Sequence, residues 1–150
     1  MVNFIKLIFL ISLLITISSC FAIDNPDTPD YVNDFLSDAQ KYEDKIAQCS
    51  CNSAELRTLY AEFNSFLEQR LSHSVRLINH FTKAEAKERF KESHTAWQAF
   101  SQKETAFVTA NWTKKSFGTS YLLSRLSYMA TIKKQRVVSI YHYAKNYPPL

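Results

Sequence analysis

An all-α fold, an antiparallel bundle of about four helices, follows from three observations. No glycine and no proline occurs between residues 31 and 117, so the turns that a sheet needs about every 8–12 residues are missing. The single glycine is Gly118, and the four prolines, at 26, 29, 148 and 149, sit near the chain ends. Apolar residues recur instead at three- and four-residue steps, the period of a helix with one buried face. Eleven Phe, eight Tyr and two Trp supply large side chains to fill the space between helices.

The first helix is expected to open at Thr28-Pro29-Asp30, with Thr28 as N-cap, Pro29 in the first helical position and an acid in the first turn. Tyr31, Phe35, Ala39, Tyr42 and Ile46 give it an apolar stripe that ends near Gln48. Cys49-Ser50-Cys51 breaks the pattern, and Asn52 with Glu55 signals a capped second helix whose stripe is Leu56, Tyr60, Phe63, Leu67, Leu71, Val75 and Ile78. The periodicity lapses near His80, and Thr82 with Glu85 reads as the next capping pair. Ala86, Phe90, Trp97, Phe100, Phe107 and Val108 form the third stripe, with Trp97 and Phe100 expected as core anchors. Asn111 to Thr119 reads as loop, with Gly118 supplying a positive φ in a tight turn. Ser120 then caps a fourth helix with Leu122, Leu123, Leu126, Met129 and Ile132 inward and Val137, Ile140 and Tyr141 further along, ended by Tyr147-Pro148-Pro149.

The first 22 residues set the compartment. Lys6 is their only charge, Leu7 to Ile17 is apolar apart from Ser12 and Thr16, and small residues follow before Asp24, Asp27 and Asp30. This is the pattern of a secretory signal over residues 1–22, which leaves a single helical domain over 23–150, secreted or periplasmic. Two processing routes fit. Cys20 and Ala22 suit small-x-small cleavage and soluble release from Ile23; Ile17-Ser18-Ser19-Cys20 suits a bacterial lipoprotein box with Cys20 lipidated and membrane-anchored.

The net charge of +4 hides an asymmetry. Residues 23–62 hold nine acids and three bases, whereas residues 63–150 hold five acids and fourteen bases. No acid follows Glu104, while Lys114, Lys115, Arg125, Lys133, Lys134, Arg136 and Lys145 all do. Either the acidic first helix packs beside the basic last one, or a basic face meets anionic lipid, polymer or an acidic partner. Export without an aromatic-basic motif in register excludes nucleic acid. Cys49 and Cys51 are two apart, so bridging them costs strain, and free thiols or intermolecular pairing stay equally open.

No catalytic or metal signature appears, and no cofactor is expected. His73, His80, His94 and His142 lack zinc spacing, and His73 and His80 read as exposed surface residues. A single glycine excludes Gly-x-Ser-x-Gly and glycine-rich phosphate loops. Glu85, Glu88 and Glu92, interleaved with Lys83, Lys87, Arg89 and Lys91, read as a solvated, charge-paired face rather than an acid/base couple. The Asn111-Trp112-Thr113 sequon is idle on a bacterial export route. The residues point to a binding protein, not an enzyme.

From Cys49 to about Ile140 the chain resembles the LprI-like lysozyme-inhibitor family of small exported bacterial helical domains. The resemblance rests on Phe90-Lys91-Glu92-Ser93-His94-Thr95-Ala96-Trp97-Gln98-Ala99-Phe100, which parallels a family helix carrying Trp-x-x-aromatic, and on Glu104 seven residues after that Trp. Gly118-Thr119-Ser120 stands for a Gly-Gly-Ser turn, Arg136 closes a stretch like the family's Thr-x-x-Arg, and Glu55-Leu56 after Cys49 resembles its opening Cys…Glu-Met. The family's stapling cysteines are replaced here by Thr105 and, in the last helix, by Tyr128 and Met129, and Ser101-Gln102 stands where Arg-Asp is usual. Glu104 is expected to pair with Arg125 or Arg136 across the bundle. The resemblance implies an exported bundle that blocks a lysozyme, with Trp112, Lys114, Lys115 and Phe117 on the inserting segment or the acidic Asp24 to Glu62 end as docking face. The alternative is an envelope or host-surface adaptor whose basic C-terminal half binds anionic lipid or polymer.

Overall fold

The computed structural model describes residues 29–145 and 147. The expected signal, Cys20, Thr28 and the closing Pro148-Pro149 lie outside these residues. Five helices follow in order: α1 (Tyr31–Ala47), α2 (Ser53–Phe81), α3 (Ala84–Asn111), the short α4 (Lys114–Phe117) and, after a 3-10 turn at Gly118–Ser120, α5 (Tyr121–Ala144). The four long ones are the expected helices, and the described residues contain no strand.

Local chemistry starts each helix, not always where the sequence suggests. Asp30, rather than a threonine further back, caps α1 by accepting a hydrogen bond from the Asn33 N–H at 3.1 Å. Asn52 and Glu55 form a reciprocal capping box on α2: Asn52 Oδ1 accepts from the Glu55 N–H at 3.1 Å, and Glu55 Oε2 accepts from the Asn52 N–H at 2.9 Å. Thr82 closes α2 instead of opening α3, its hydroxyl donating to the Ile78 carbonyl at 2.7 Å. Lys83 holds the N-cap position of α3 without a side-chain bond, and Ala84 takes a φ of 46°. The turn between the two helices is too tight for the expected Thr82–Glu85 box. Cys49 and Cys51, disfavoured as a pair on spacing, are joined in a disulfide in the α1–α2 connection.

Partners across the bundle give the helix directions. Tyr42 stacks near Phe63 (5.6 Å between centroids) and Phe35 near Phe66 (5.8 Å), so α1 and α2 are antiparallel. Lys133 meets Asn64 and Glu68 while Tyr141 meets His73, so α2 and α5 run parallel. Glu104 meets Tyr128 and Ser93 meets Arg136, so α3 and α5 are antiparallel. This is an up-down-up-down order in which the parallel α2 and α5 are the most extensively packed pair.

The core therefore sits among α1, α2 and α5. Phe35, Ala39, Leu67, Leu77, Ile78, Val137, Ile140, Tyr141 and Ala144 are almost wholly enclosed there. Tyr141 is the junction: its ring stacks on Tyr31 (5.7 Å) and tilts against Phe35 (5.9 Å), and its hydroxyl shares a 2.9 Å hydrogen bond with His73 Nδ1. His73 is thus half-buried, not on the open surface, because helix period cannot reveal a tyrosine arriving from 68 residues away. His80 is exposed as expected, edge-on to Phe81.

Helix α3 departs most from expectation. Of its 28 residues only Phe90 and Val108 are buried, and it packs chiefly on α5. Trp97 is half-buried, while Phe100 and Phe107 are 49% and 59% exposed. Their three- and four-residue spacing is helical, but among the described residues no other helix covers the shoulder of the stripe on which they lie. Leu123, expected inward on α5, is exposed as well.

Two half-buried histidines make the fold acid-sensitive. His73 is held below the ordinary histidine value mainly by burial, with Arg76 and Arg70 adding to it. His94 is lowered mainly by burial, with Arg136 adding to it. The folded protein thus refuses protons that the unfolded chain accepts near pH 6.5. Stability is full above that pH and is lost as pH falls from about 6.5 toward the depressed folded values. Melting temperatures across pH 7 to 5 are expected to fall by a few degrees, with a flatter slope in a His73→Gln, His94→Gln double variant.

Candidate partner-binding surface

The segment from Trp112 to Ser120 is a braced knuckle rather than the expected loop. Thr113 caps α4, its Oγ1 accepting from the Ser116 N–H at 3.2 Å. Gly118 follows with φ 58° and ψ −137°, the positive φ expected there. Ser120 occupies the N-cap position of α5, but its hydroxyl donates to the Phe117 carbonyl at 2.8 Å instead of capping the helix. Arg125 ties the knuckle to α3: its Nε donates to the Trp112 carbonyl at 2.6 Å and its Nη2 to the Thr109 carbonyl. A guanidinium on the last carbonyls of a helix both satisfies them and opposes the negative end of the dipole.

Trp112 anchors the knuckle from within. Its ring stands edge-on to Tyr128 (5.5 Å) and to Phe117 (6.4 Å). Lys114 and Lys115 are left exposed beside Phe117, itself 44% exposed. Neither lysine takes part in an ion pair among the described residues. The turn thus presents two cations and an aromatic ring from a fixed support.

Because no Cβ contact would arise within 4 Å of Gly118, an alanine there meets only backbone strain. Gly118→Ala is expected to cost about 1–2 kcal/mol, read as a shifted urea midpoint, with Trp112 fluorescence reporting the displaced knuckle.

A groove of about 480 Å³ lies between α3 and α5, lined by Trp97, Phe100, Tyr128, Ile132, Gln135 and Arg136, among others. Glu104 stands at its edge and pairs with neither expected arginine. It accepts a 2.9 Å hydrogen bond from the Tyr128 hydroxyl, because Arg125 is committed to backbone carbonyls and Arg136 lies further along α5. The Arg136 guanidinium lies 5.7 Å from the Trp97 ring centre and makes one long contact, 3.5 Å, to Ser93 Oγ. Among the described residues its buried Nε has no acceptor and the buried Nδ1 of His94, whose ring lies between Phe90 and Trp97, has no hydrogen-bond partner.

The basic C-terminal half does not form one continuous cationic face. Lys134 pairs with Glu43 of α1 at 2.8 Å and Lys133 with Glu68 of α2, which sets the basic last helix beside the acidic first one. Arg70 pairs with Asp38 at 2.6 Å. Among the described residues no group of three or more His, Cys, Asp or Glu is arranged to hold a metal ion, and no helix is long and apolar enough to cross a membrane.

A family model described as lysozyme inhibitor LprI matches residues 37–139, from the first half of α1 to the last turns of α5. The chain belongs to the LprI lysozyme-inhibitor family. Comparison with curated proteins and with solved structures returned no match. The LprI match contains the whole knuckle and every residue that lines the groove. Trp97, Phe100 and Arg136, the residues that carry the LprI resemblance in α3 and α5, meet in the groove, with Glu104 at its edge. Gly118 and Ser120 lie in the knuckle instead. Sequence reasoning missed the roles of Thr113, Arg125 and Tyr128, which fix the LprI knuckle and Glu104. Thr113-x-x-Ser116 is a short-helix start legible in hindsight, whereas Arg125 and Tyr128 act across helices and leave no local signal.

Proposed function

We propose that this LprI-family chain is an exported, non-enzymatic protein that inhibits a lysozyme by placing the Lys114-Lys115 knuckle in the enzyme's substrate cleft. The apolar leader supports export to the cell exterior or periplasm, by soluble release from Ile23 or as a lipoprotein on Cys20, with residues 23–150 as one helical domain. The observation that carries the reading is the braced cationic turn in a chain that matches the lysozyme-inhibitor model. Lysozymes cut their substrate with two carboxyl groups set roughly 5 Å apart, so their cleft is locally anionic even where the enzyme as a whole is basic. A cationic projection suits that cleft, and the acidic α1 end of the molecule suits the basic surface around it. Rigid support lowers the ordering cost of insertion, since Thr113, Trp112 and Arg125 already hold the turn.

The test is a titration of the purified protein against several lysozymes in a cell-wall lysis assay. Inhibition of at least one supports the reading, and undiminished lysis by all of them removes it. Lys133 and Lys134 are engaged with carboxylates, which takes away the broad cationic face that an anionic-surface adaptor needs.

A further inference from the structure

We infer that the α3–α5 groove is a self-association surface, on which a second copy of this chain lies reversed so that Glu104 of each copy faces Arg136 of the other. Three observations carry it. The first is unused apolar surface. Phe100 and Phe107 on α3 and Tyr128 and Tyr143 on α5 are exposed aromatics, and two of the four line the groove itself. Clustered exposed rings on a soluble domain mark a contact surface.

The second is a pair of unmatched charges. Among the described residues Arg136, partly withdrawn from water, meets no carboxylate; its neighbours are Ser93 Oγ, the Trp97 face and, electrostatically, Tyr143. Among the described residues Glu104 meets no cation and accepts from the Tyr128 hydroxyl. A desolvated cation and an acid on one face, each lacking its opposite, are the two halves of an ion pair that the described residues of one copy do not close.

The third is their placement. Tyr128, which marks Glu104, and Arg136 are two turns apart on α5, about 12 Å along the helix. A two-fold axis across the groove, midway between them, passes at Ile132 and close to Phe100, both groove residues. Rotation about that axis carries each Glu104 onto the partner's Arg136 and sets the two Phe100 rings near each other at the centre. An isologous contact needs this self-complementarity: an apolar centre flanked by opposite charges at equal distances. The reversed copy leaves the two knuckles at opposite ends of the assembly.

Sedimentation velocity from micromolar to several hundred micromolar protein tests it. The wild-type protein is expected to show a monomer–dimer equilibrium. Glu104→Arg and Arg136→Glu are each expected to weaken the dimer at least about tenfold, because each places like charges opposite one another twice. Mixing the two variants is expected to restore dimerisation to within about threefold of wild type. In the mixed dimer the two substituted side chains face each other with opposite charge, and the native Arg136 of one copy faces the native Glu104 of the other. A wild-type protein that stays monomeric over the whole range overturns the inference. So does a dimer that survives either reversal, or a mixture of the two folded variants that remains monomeric. Far-UV circular dichroism verifies folding. Should either reversed variant unfold, Phe100→Glu, at a half-exposed position, decides instead: loss of the dimer supports the interface and its persistence overturns it. None of these readouts uses lysozyme, so they stand or fall apart from the inhibition assay.

Discussion

Tyr141→Ala is expected to destabilise the domain by about 3–5 kcal/mol, the range for deleting a large buried ring whose neighbours relax only in part. Against a total of about 5–15 kcal/mol for a domain of ordinary stability, this leaves a substantial unfolded fraction at body temperature. The size of the effect follows from position. Tyr141 is 1% exposed where α1, α2 and α5 converge, and its loss opens a void beside Tyr31 and Phe35 while removing the partner of His73 Nδ1. Tyr141→Phe separates the two terms: it keeps the ring and deletes the hydroxyl, at about 1 kcal/mol. Urea unfolding followed by circular dichroism measures both. A Phe variant as damaged as the Ala variant would show that the His73 contact, not the packing, dominates at this junction.

Reversing both knuckle lysines, Lys114→Glu with Lys115→Glu, is expected to weaken lysozyme inhibition at least about 100-fold, because like charges brought together in a water-excluded cleft cost several kcal/mol. The fold is expected to be untouched, since both side chains are exposed and make no ion pair among the described residues. Lys87→Glu with Lys103→Glu, both exposed on α3, makes the same change in net charge and is expected to change inhibition little. The inhibition constants of the three proteins at low and moderate salt separate the outcomes. Equal inhibition by wild type and the double variant would move the contact away from the knuckle while leaving the inhibitor reading in place.

The helices are legible in the sequence because their determinants are local. Asn52 with Glu55 announces α2 within four residues, and the stripe from Tyr60 to Ile78 is buried where the helical period puts it. Gly118 is legible for the same reason, since one glycine in a chain of 150 residues marks a backbone conformation that others avoid. Phe100 and Phe107 mislead because period tells which residues share a helix face, not whether a neighbour covers that face. Of the candidate residues, Trp97, Phe100 and Arg136 are individually visible, but their meeting in one groove depends on the antiparallel register of α3 and α5. Charge alone matches Glu104 to arginines. Its partner is a tyrosine, since Arg125 is spent on the carbonyls of Thr109 and Trp112. Spacing disfavours the Cys49–Cys51 bond, but spacing is a weak guide when a helix end and a capping box fix the chain on either side.

The thin attachment of α3 divides the molecule into parts of unequal persistence. Three helices share one interior and must lose it together, whereas α3 is held by Phe90, Val108, the half-buried Trp97, the Arg125 tie and the hydrogen bonds of Glu104 and Ser93 to α5. Detaching it exposes little oily surface, so this rod swings free at a lower energy than complete unfolding requires. Its amides are therefore expected to trade their hydrogens with solvent ahead of those of the other three long helices, and a wandering protease to cut this arm before it cuts them. Anything that clasps α3 from outside, whether a sister molecule or a captured enzyme, would lengthen the lifetime of the whole.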